Sequence, residues 1–241
     1  MKKINIKIPD FRRIPVYQTL VLFFLVMITI LLVVIMFWIK DQKGGTINNP
    51  FQVQVSDTDN FVFLGDSLTD FYPLEEFYDE LPVVNSGVSG YQTTDILSRI
   101  DSMVTIYNPT KVFLLIGTND IEAERSEDEI VENIAEIIDR IHEKRPKAKI
   151  YLESLLPVNR SEDEKINHDT VGRRTNETIQ SINEKLESYA EENDIEFINL
   201  YDEFTDENGE LALKYTEEGL HLSNLGYLRL TNILLPYFQD E

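Results

Sequence analysis

Short apolar runs at 61–64, 83–85, 112–116, 150–153 and 197–200 alternate with longer stretches of helical period, and this alternation leaves few architectures open. Between the third and fourth runs, Ile130, Val131, Ile134, Ile137, Ile138 and Ile141 fall on one helical face, and Ser126 with Glu129 forms a capping box at its start. Ile179, Ile182, Leu186 and Tyr189 repeat the arrangement before the fifth run. A strand, a helix and a further strand close by a right-handed crossover, so strands joined in this way lie parallel in a sheet covered on both faces. The expected fold class is α/β, a three-layer α/β/α sandwich on a five-stranded parallel sheet. With 241 residues the chain has room for one such domain and too little for two.

The chain ahead of the first run is of another kind. Residues 20–39 carry no charge and only Thr29 as a polar interruption, and twenty helical residues are enough to cross a hydrocarbon core. Lys2, Lys3, Lys7, Arg12 and Arg13 precede this stretch against Asp10 alone, which by the positive-inside bias puts the N-terminus in the cytoplasm. The stretch is longer than the apolar region of a cleavable signal peptide and leaves through Phe37-Trp38-Ile39-Lys40 without small residues. We therefore expect a cytoplasmic basic segment at 1–19, an uncleaved transmembrane signal anchor at 20–39, a linker at 40–59 ending in a short strand at 51–55, and one folded domain at 60–241 on the outer side of a cell membrane.

Charge narrows the partners. Of 22 Lys and Arg and 43 Asp and Glu, six and one respectively precede Asp41, so the remainder carries 16 against 42, about −26 at neutral pH. Such a surface repels nucleic acid and anionic head groups. The chain has no cysteine, which in an exported domain suits a bacterial cell surface better than a eukaryotic secretory route, and the expected location is the cell membrane of a Gram-positive-type bacterium. No Cys/His cluster or histidine pair of metal-binding spacing appears, so the expectation is no metal and no cofactor. The acidic stretch 202–210 with Asn208-Gly209 lacks the spacing of a calcium loop and reads as a turn.

In an open parallel sheet, ligands bind beyond the carboxyl ends of the strands. Gly65-Asp66-Ser67-Leu68 follows the first run, Asn85-Ser86-Gly87-Val88-Ser89-Gly90 the second and Gly117-Thr118-Asn119-Asp120 the third, so three segments converge on one edge. Glu218-Gly219-Leu220-His221 lies just before the last helix, which Ser223 is placed to cap. A serine needs a base within hydrogen-bond reach to become a nucleophile, and His221 has the intrinsic pKa for that task. Glu218, three residues earlier, is placed to fix the ring, with Asp120 and Glu217 as fallback partners and Asp66 and Asp120 as supporting carboxylates. Donors for the negative charge that develops on a carbonyl oxygen would be the backbone amides of Ser67 and Gly90 and the side-chain amide of Asn119. Against this stands the reading of Ser67 as a plain helix cap. Of the other histidines, His142 lies on a surface helix, and His168 sits in a polar connection, 157–172, that reads as a lid or a surface insertion.

The four ordered blocks at 65–68, 85–90, 117–120 and 219–222 resemble those of the SGNH hydrolase superfamily, the GDSL-type esterases and lipases, over about 60–238. That resemblance implies a flavodoxin-like sheet, Ser67 as nucleophile, His221 as base, and Gly90 and Asn119 completing an oxyanion hole. The family usually carries aspartate three residues before the histidine, where this chain has Glu218. The function expected is an extracytoplasmic serine esterase removing short acyl groups, such as O-acetyl, from cell-wall or extracellular glycans. A lysophospholipase or other lipid acyl hydrolase, a glycan O-acyltransferase and a catalytically inactive binding module are the alternatives. The partners are accordingly an acylated small molecule or glycan and, through 20–39, the membrane; oligomeric state is open.

Overall fold

The computed structural model describes residues 59–239 except Glu80, together with Met27. The basic segment at 1–19, nearly all of the stretch at 20–39, and the linker with its short strand at 51–55 lie outside the described residues. Among the described residues no helix is long and apolar enough to cross a membrane.

All five expected strands form, displaced by one or two residues at their ends. β1 (Phe61–Gly65), β2 (Val83–Gly87), β3 (Lys111–Leu115), β4 (Lys149–Glu153) and β5 (Glu196–Ile198) make one sheet in the order β2-β1-β3-β4-β5. Every pairing is parallel, with Phe63 opposite Phe113 and Phe113 opposite Tyr151 in register. The helices, in chain order, are α1 (Ser67–Asp70), α2 (Leu74–Phe77), α3 (Thr93–Leu97), α4 (Ile100–Met103), α5 (Thr118–Glu122), α6 (Glu127–Lys144), α7 (His168–Val171), α8 (Asn176–Glu192), α9 (Tyr201–Phe204) and α10 (Asn224–Leu234), with 3-10 turns at Thr105–Tyr107 and Leu235–Phe238.

The strand order dictates the layers. With right-handed crossovers, the step from β1 to β2 runs opposite to the steps from β2 to β3, β3 to β4 and β4 to β5, so its connection lies on the other face. Accordingly α3 packs on α6 and α6 on α8 to form one layer. Ile130, Ile134, Ile137, Ile138 and Ile141 of α6 are buried, and Val131 at the margin of the stripe is half-buried. The Ser126–Glu129 capping box is present as expected. On the opposite face the rings of Phe63, Phe113 and Tyr151 stack at 4.8 Å across three strands, and Phe238 lies 5.1 Å from Phe113. Tyr72 and Tyr78 join that layer, their hydroxyls 2.8 Å apart and Tyr72 bonded to Thr231 of α10. Successive residues of a strand face opposite sides, so β1, β3 and β4, buried except at Lys111 and Lys149, present mainly apolar side chains to both layers.

The order reverses between β1 and β3, and the crevice beyond their carboxyl ends is where such a sheet accepts ligands. Gly65 and Gly117 lead out of those two strands.

Candidate active site

Ser67 opens α1, a helix of four residues. Its cap is not the serine: Asp66 is the N-cap, and its Oδ1 accepts from the Leu68 N–H at 3.0 Å. The serine hydroxyl is thereby left for another partner, which is His221 Nε2 at 2.9 Å. The leading N–H groups of a helix have no intrahelical acceptor, so the Ser67 amide is among the donors that the fold leaves at this edge.

His221 comes from the loop between α9 and α10, whose far end Ser223 caps through the Gly226 N–H. Glu218 Oε1 lies 2.5 Å from His221 Nδ1 and also accepts the His221 backbone N–H at 3.1 Å. A carboxylate against Nδ1 requires the ring proton there, which leaves the Nε2 lone pair for the serine hydroxyl. The longer side chain of glutamate is accommodated because the loop is braced. Thr216 Oγ1 accepts from the Gly219 N–H and donates to the His221 carbonyl, both at 2.8 Å, and the Glu217 N–H donates to that same carbonyl. Gly219 has φ of 107°, and a side chain there would meet the Asn159 carbonyl at 2.8 Å. The fallback partners are thus set aside. Glu217 is exposed, and Asp120, fully buried, accepts from Thr93 N and Oγ1 at 2.9 and 2.6 Å and pairs with Arg125 Nε at 2.8 Å.

The loop after β2 is fastened to α1. Asn85 Nδ2 donates to the carbonyls of Thr69, Asp70 and Tyr72, and Asp70 Oδ2 accepts from Ser89 N and Oγ. Val88 to Tyr91 forms a β-turn closed at 3.1 Å, with Gly90 in its third position at φ 81°. That left-handed backbone is why glycine stands there. Among the described residues no atom lies within 4 Å of where its side chain would be, so crowding by them is not the reason. Asn119, in the first turn of α5, donates one Nδ2 hydrogen to the Tyr91 carbonyl at 3.0 Å and accepts from Arg174 Nη2 at 2.9 Å.

Arg174 and Phe71 escaped sequence reasoning, whereas Asp66 is expected from it as a supporting carboxylate. Arg174, only 4% exposed, gave no signal in a polar stretch beside Arg173. Asp66 Oδ2 is buried without a hydrogen-bond partner among the described residues, and burial pushes its carboxyl up to about 7, against the pull of the Leu68 N–H and the Arg174 charge. Phe71 is 53% exposed, and its ring centroid lies 5.2 Å from that of His221. The connection 157–172 is neither a free lid nor a simple insertion. Asn159 N and Asn167 N donate to the carbonyls of Gly219 and Glu218 at 2.8 Å, so it holds the loop that carries His221 from outside. His168 starts α7 and is exposed. Of the 202–210 stretch, expected as a turn, residues 202–204 belong to α9 and only the part after Thr205 turns, with Asp206 Oδ1 accepting from the Asn208 and Glu210 amides. Among the described residues no group of acidic, histidine or cysteine side chains is arranged to hold a metal ion.

Residues 63–229 match the GDSL-like Lipase/Acylhydrolase family. The chain is similar to a solved Streptococcus pneumonia protein provisionally described as a platelet activating factor, with 34% identity, a TM-score of 0.68, and 87% of this chain and 99% of that one covered. It is similar also to a GDSL-like lipase from Bacteroides thetaiotaomicron, at 26% identity and a TM-score of 0.67, covering 83% and 97% of the two chains. Over 179 residues, 72% of this chain, it is 30% identical to the N-acylneuraminate cytidylyltransferase of Escherichia coli O18:K1:H7, strain RS218. The chain spans 39% of the length of that relative.

Proposed function

Because the chain belongs to the GDSL-like lipase/acylhydrolase family and is a carboxylic ester hydrolase, we propose that Ser67, His221 and Glu218 are its catalytic triad and that its substrates are short-chain, chiefly O-acetyl, esters of cell-wall or extracellular glycans. The observation that carries the catalytic assignment is the unbroken relay from Ser67 Oγ through His221 to Glu218, at 2.9 and 2.5 Å. In the first half-reaction Ser67 Oγ attacks the ester carbonyl while His221 Nε2 takes its proton, and Glu218 steadies the imidazolium. The carbonyl oxygen takes up the negative charge and is met by the amides of Ser67 and Gly90 and the free Nδ2 hydrogen of Asn119. Return of the proton from His221 to the departing alcohol leaves an acyl-enzyme, and water, activated by the same imidazole, releases the acid and restores Ser67.

Location supports the glycan reading. A span at 20–39 with a basic flank would hold the domain against the outer face of a membrane, within reach of envelope polymers. Similarity to part of a protein named for an N-acylated sugar leans the same way. The second reading, a lipid acyl hydrolase, draws on the description of the Bacteroides thetaiotaomicron relative as a lipase. A series of p-nitrophenyl esters separates them: activity falling steeply from acetyl to octanoyl supports the first, and a rise toward long chains overturns it. Ser67→Ala should abolish both turnover and labelling by a fluorophosphonate probe; retained labelling would remove Ser67 from the mechanism.

A further inference from the structure

Asn119 is held at both ends of its amide. The Tyr91 carbonyl can only accept, so the group facing it at 3.0 Å must be the Nδ2 donor; the Arg174 guanidinium can only donate, so the group facing it at 2.9 Å must be Oδ1. Turning the amide over would set oxygen against oxygen and NH2 against guanidinium. One Nδ2 hydrogen is therefore engaged and the other is directed away from Tyr91, free for a substrate oxygen. Without Arg174 the Tyr91 bond alone would still allow the side chain to swing about it.

Arg174 is itself fixed far more firmly than a surface arginine. Its Nε donates to Thr118 O and Oγ1 at 3.0 and 2.9 Å, and Nη1 donates to the Thr170 and Val171 carbonyls and to Glu122 at 3.2, 3.0 and 3.3 Å. The anchoring atoms on Thr118 belong to the residue before Asn119, so guanidinium and amide are registered to one turn of backbone. A charged donor on Oδ1 also draws electron density from the amide and strengthens what its N–H can offer an oxyanion. We propose that Arg174 is a positioning residue for the reaction: it locks the orientation of the Asn119 amide and polarises it toward the developing oxyanion. The inference rests on the role proposed above for Asn119 and extends it to a residue 55 positions away in sequence.

A double-mutant cycle on the full chain with p-nitrophenyl acetate tests this, using Arg174→Gln, Asn119→Ala and the pair. Loss of one oxyanion donor costs roughly a hundred- to a thousandfold in kcat. Arg174→Gln should cost at least about tenfold within that ceiling, with KM changed less than about threefold. In the Asn119→Ala background the same change should cost less than about twofold, because the amide through which it acts is gone. An equal loss in both backgrounds would show that Arg174 acts by another route, such as the Asp66 charge, and would overturn the proposal; so would a loss confined to KM. If Arg174→Gln fails to fold, Arg174→Lys is run through the same cycle, since it keeps the charge but not the planar fork. Wild-type enzyme inert toward every ester would refute the esterase reading, whereas active wild type with an unaffected Arg174→Gln would refute only this one.

Discussion

Glu153 ends β4 on the aromatic face of the sheet at 3% exposure, and burial pushes its carboxyl up from 4.5 to about 8. Proton counting fixes the sign of its effect on stability. Below pH 4.5 the folded and unfolded chains both carry the proton. Between there and about pH 8 the unfolded chain has released it while the fold retains it, so the fold loses about 1.4 kcal/mol of stability per pH unit. At pH 7 the loss amounts to about 3 kcal/mol, a sizeable part of the roughly 5–15 kcal/mol that stabilises an ordinary domain. Glu153→Gln keeps the shape and cannot ionise. Urea unfolding of wild type and variant, followed by far-ultraviolet circular dichroism at pH 5, 6 and 7 and constant ionic strength, should show the variant gaining on wild type by somewhat over about 1 kcal/mol per pH unit. Titration of the acidic surface is common to both proteins and cancels in the difference. A difference that stays flat across this range would refute the claim that the fold holds a protonated carboxyl at the end of β4.

Glu218→Gln preserves the outline of the side chain but removes the charge proposed to steady the imidazolium, and kcat for p-nitrophenyl acetate should fall on the order of 10²- to 10⁴-fold with KM little changed. Equal activity would take Glu218 out of the mechanism. Arg125→Met strips fully buried Asp120 of its cation and leaves it Thr93 alone, so the unfolding midpoint in urea should drop by the equivalent of roughly 3 kcal/mol. An unchanged midpoint would mean that the pair carries no net stability.

The sheet was legible because its three central strands, β1, β3 and β4, are buried on both sides and rich in branched and aromatic residues, which gives short apolar runs, and because the intervening isoleucines keep a strict helical spacing. Even the capping boundary at Ser126 could be read from two residues. What pattern reading placed less well depends on direction. Asp120 adjoins Asn119 in the chain, yet one step along α5 turns its carboxylate into the interior toward Thr93 and Arg125. Asp66, not the adjacent Ser67, caps α1, a choice that rests on which side chain can fold back onto the Leu68 amide. Arg174 was beyond reach for a plainer reason: its partners Thr118, Asn119 and Glu122 precede it by more than fifty residues, while its neighbour Arg173 is a solvent-facing cation, and nothing in the local composition separates the two.

The segment between β4 and α8 touches the proposed chemistry from two sides, through the Gly219 and Glu218 carbonyls at one end and through Arg174 at the other. Protein engineers commonly treat such a surface loop as an exchangeable cassette for altering selectivity. Here a transplant would disturb acid–base alignment and charge stabilisation together, so directed evolution of this enzyme should begin at the Phe71 side, where a ring borders His221 at half exposure.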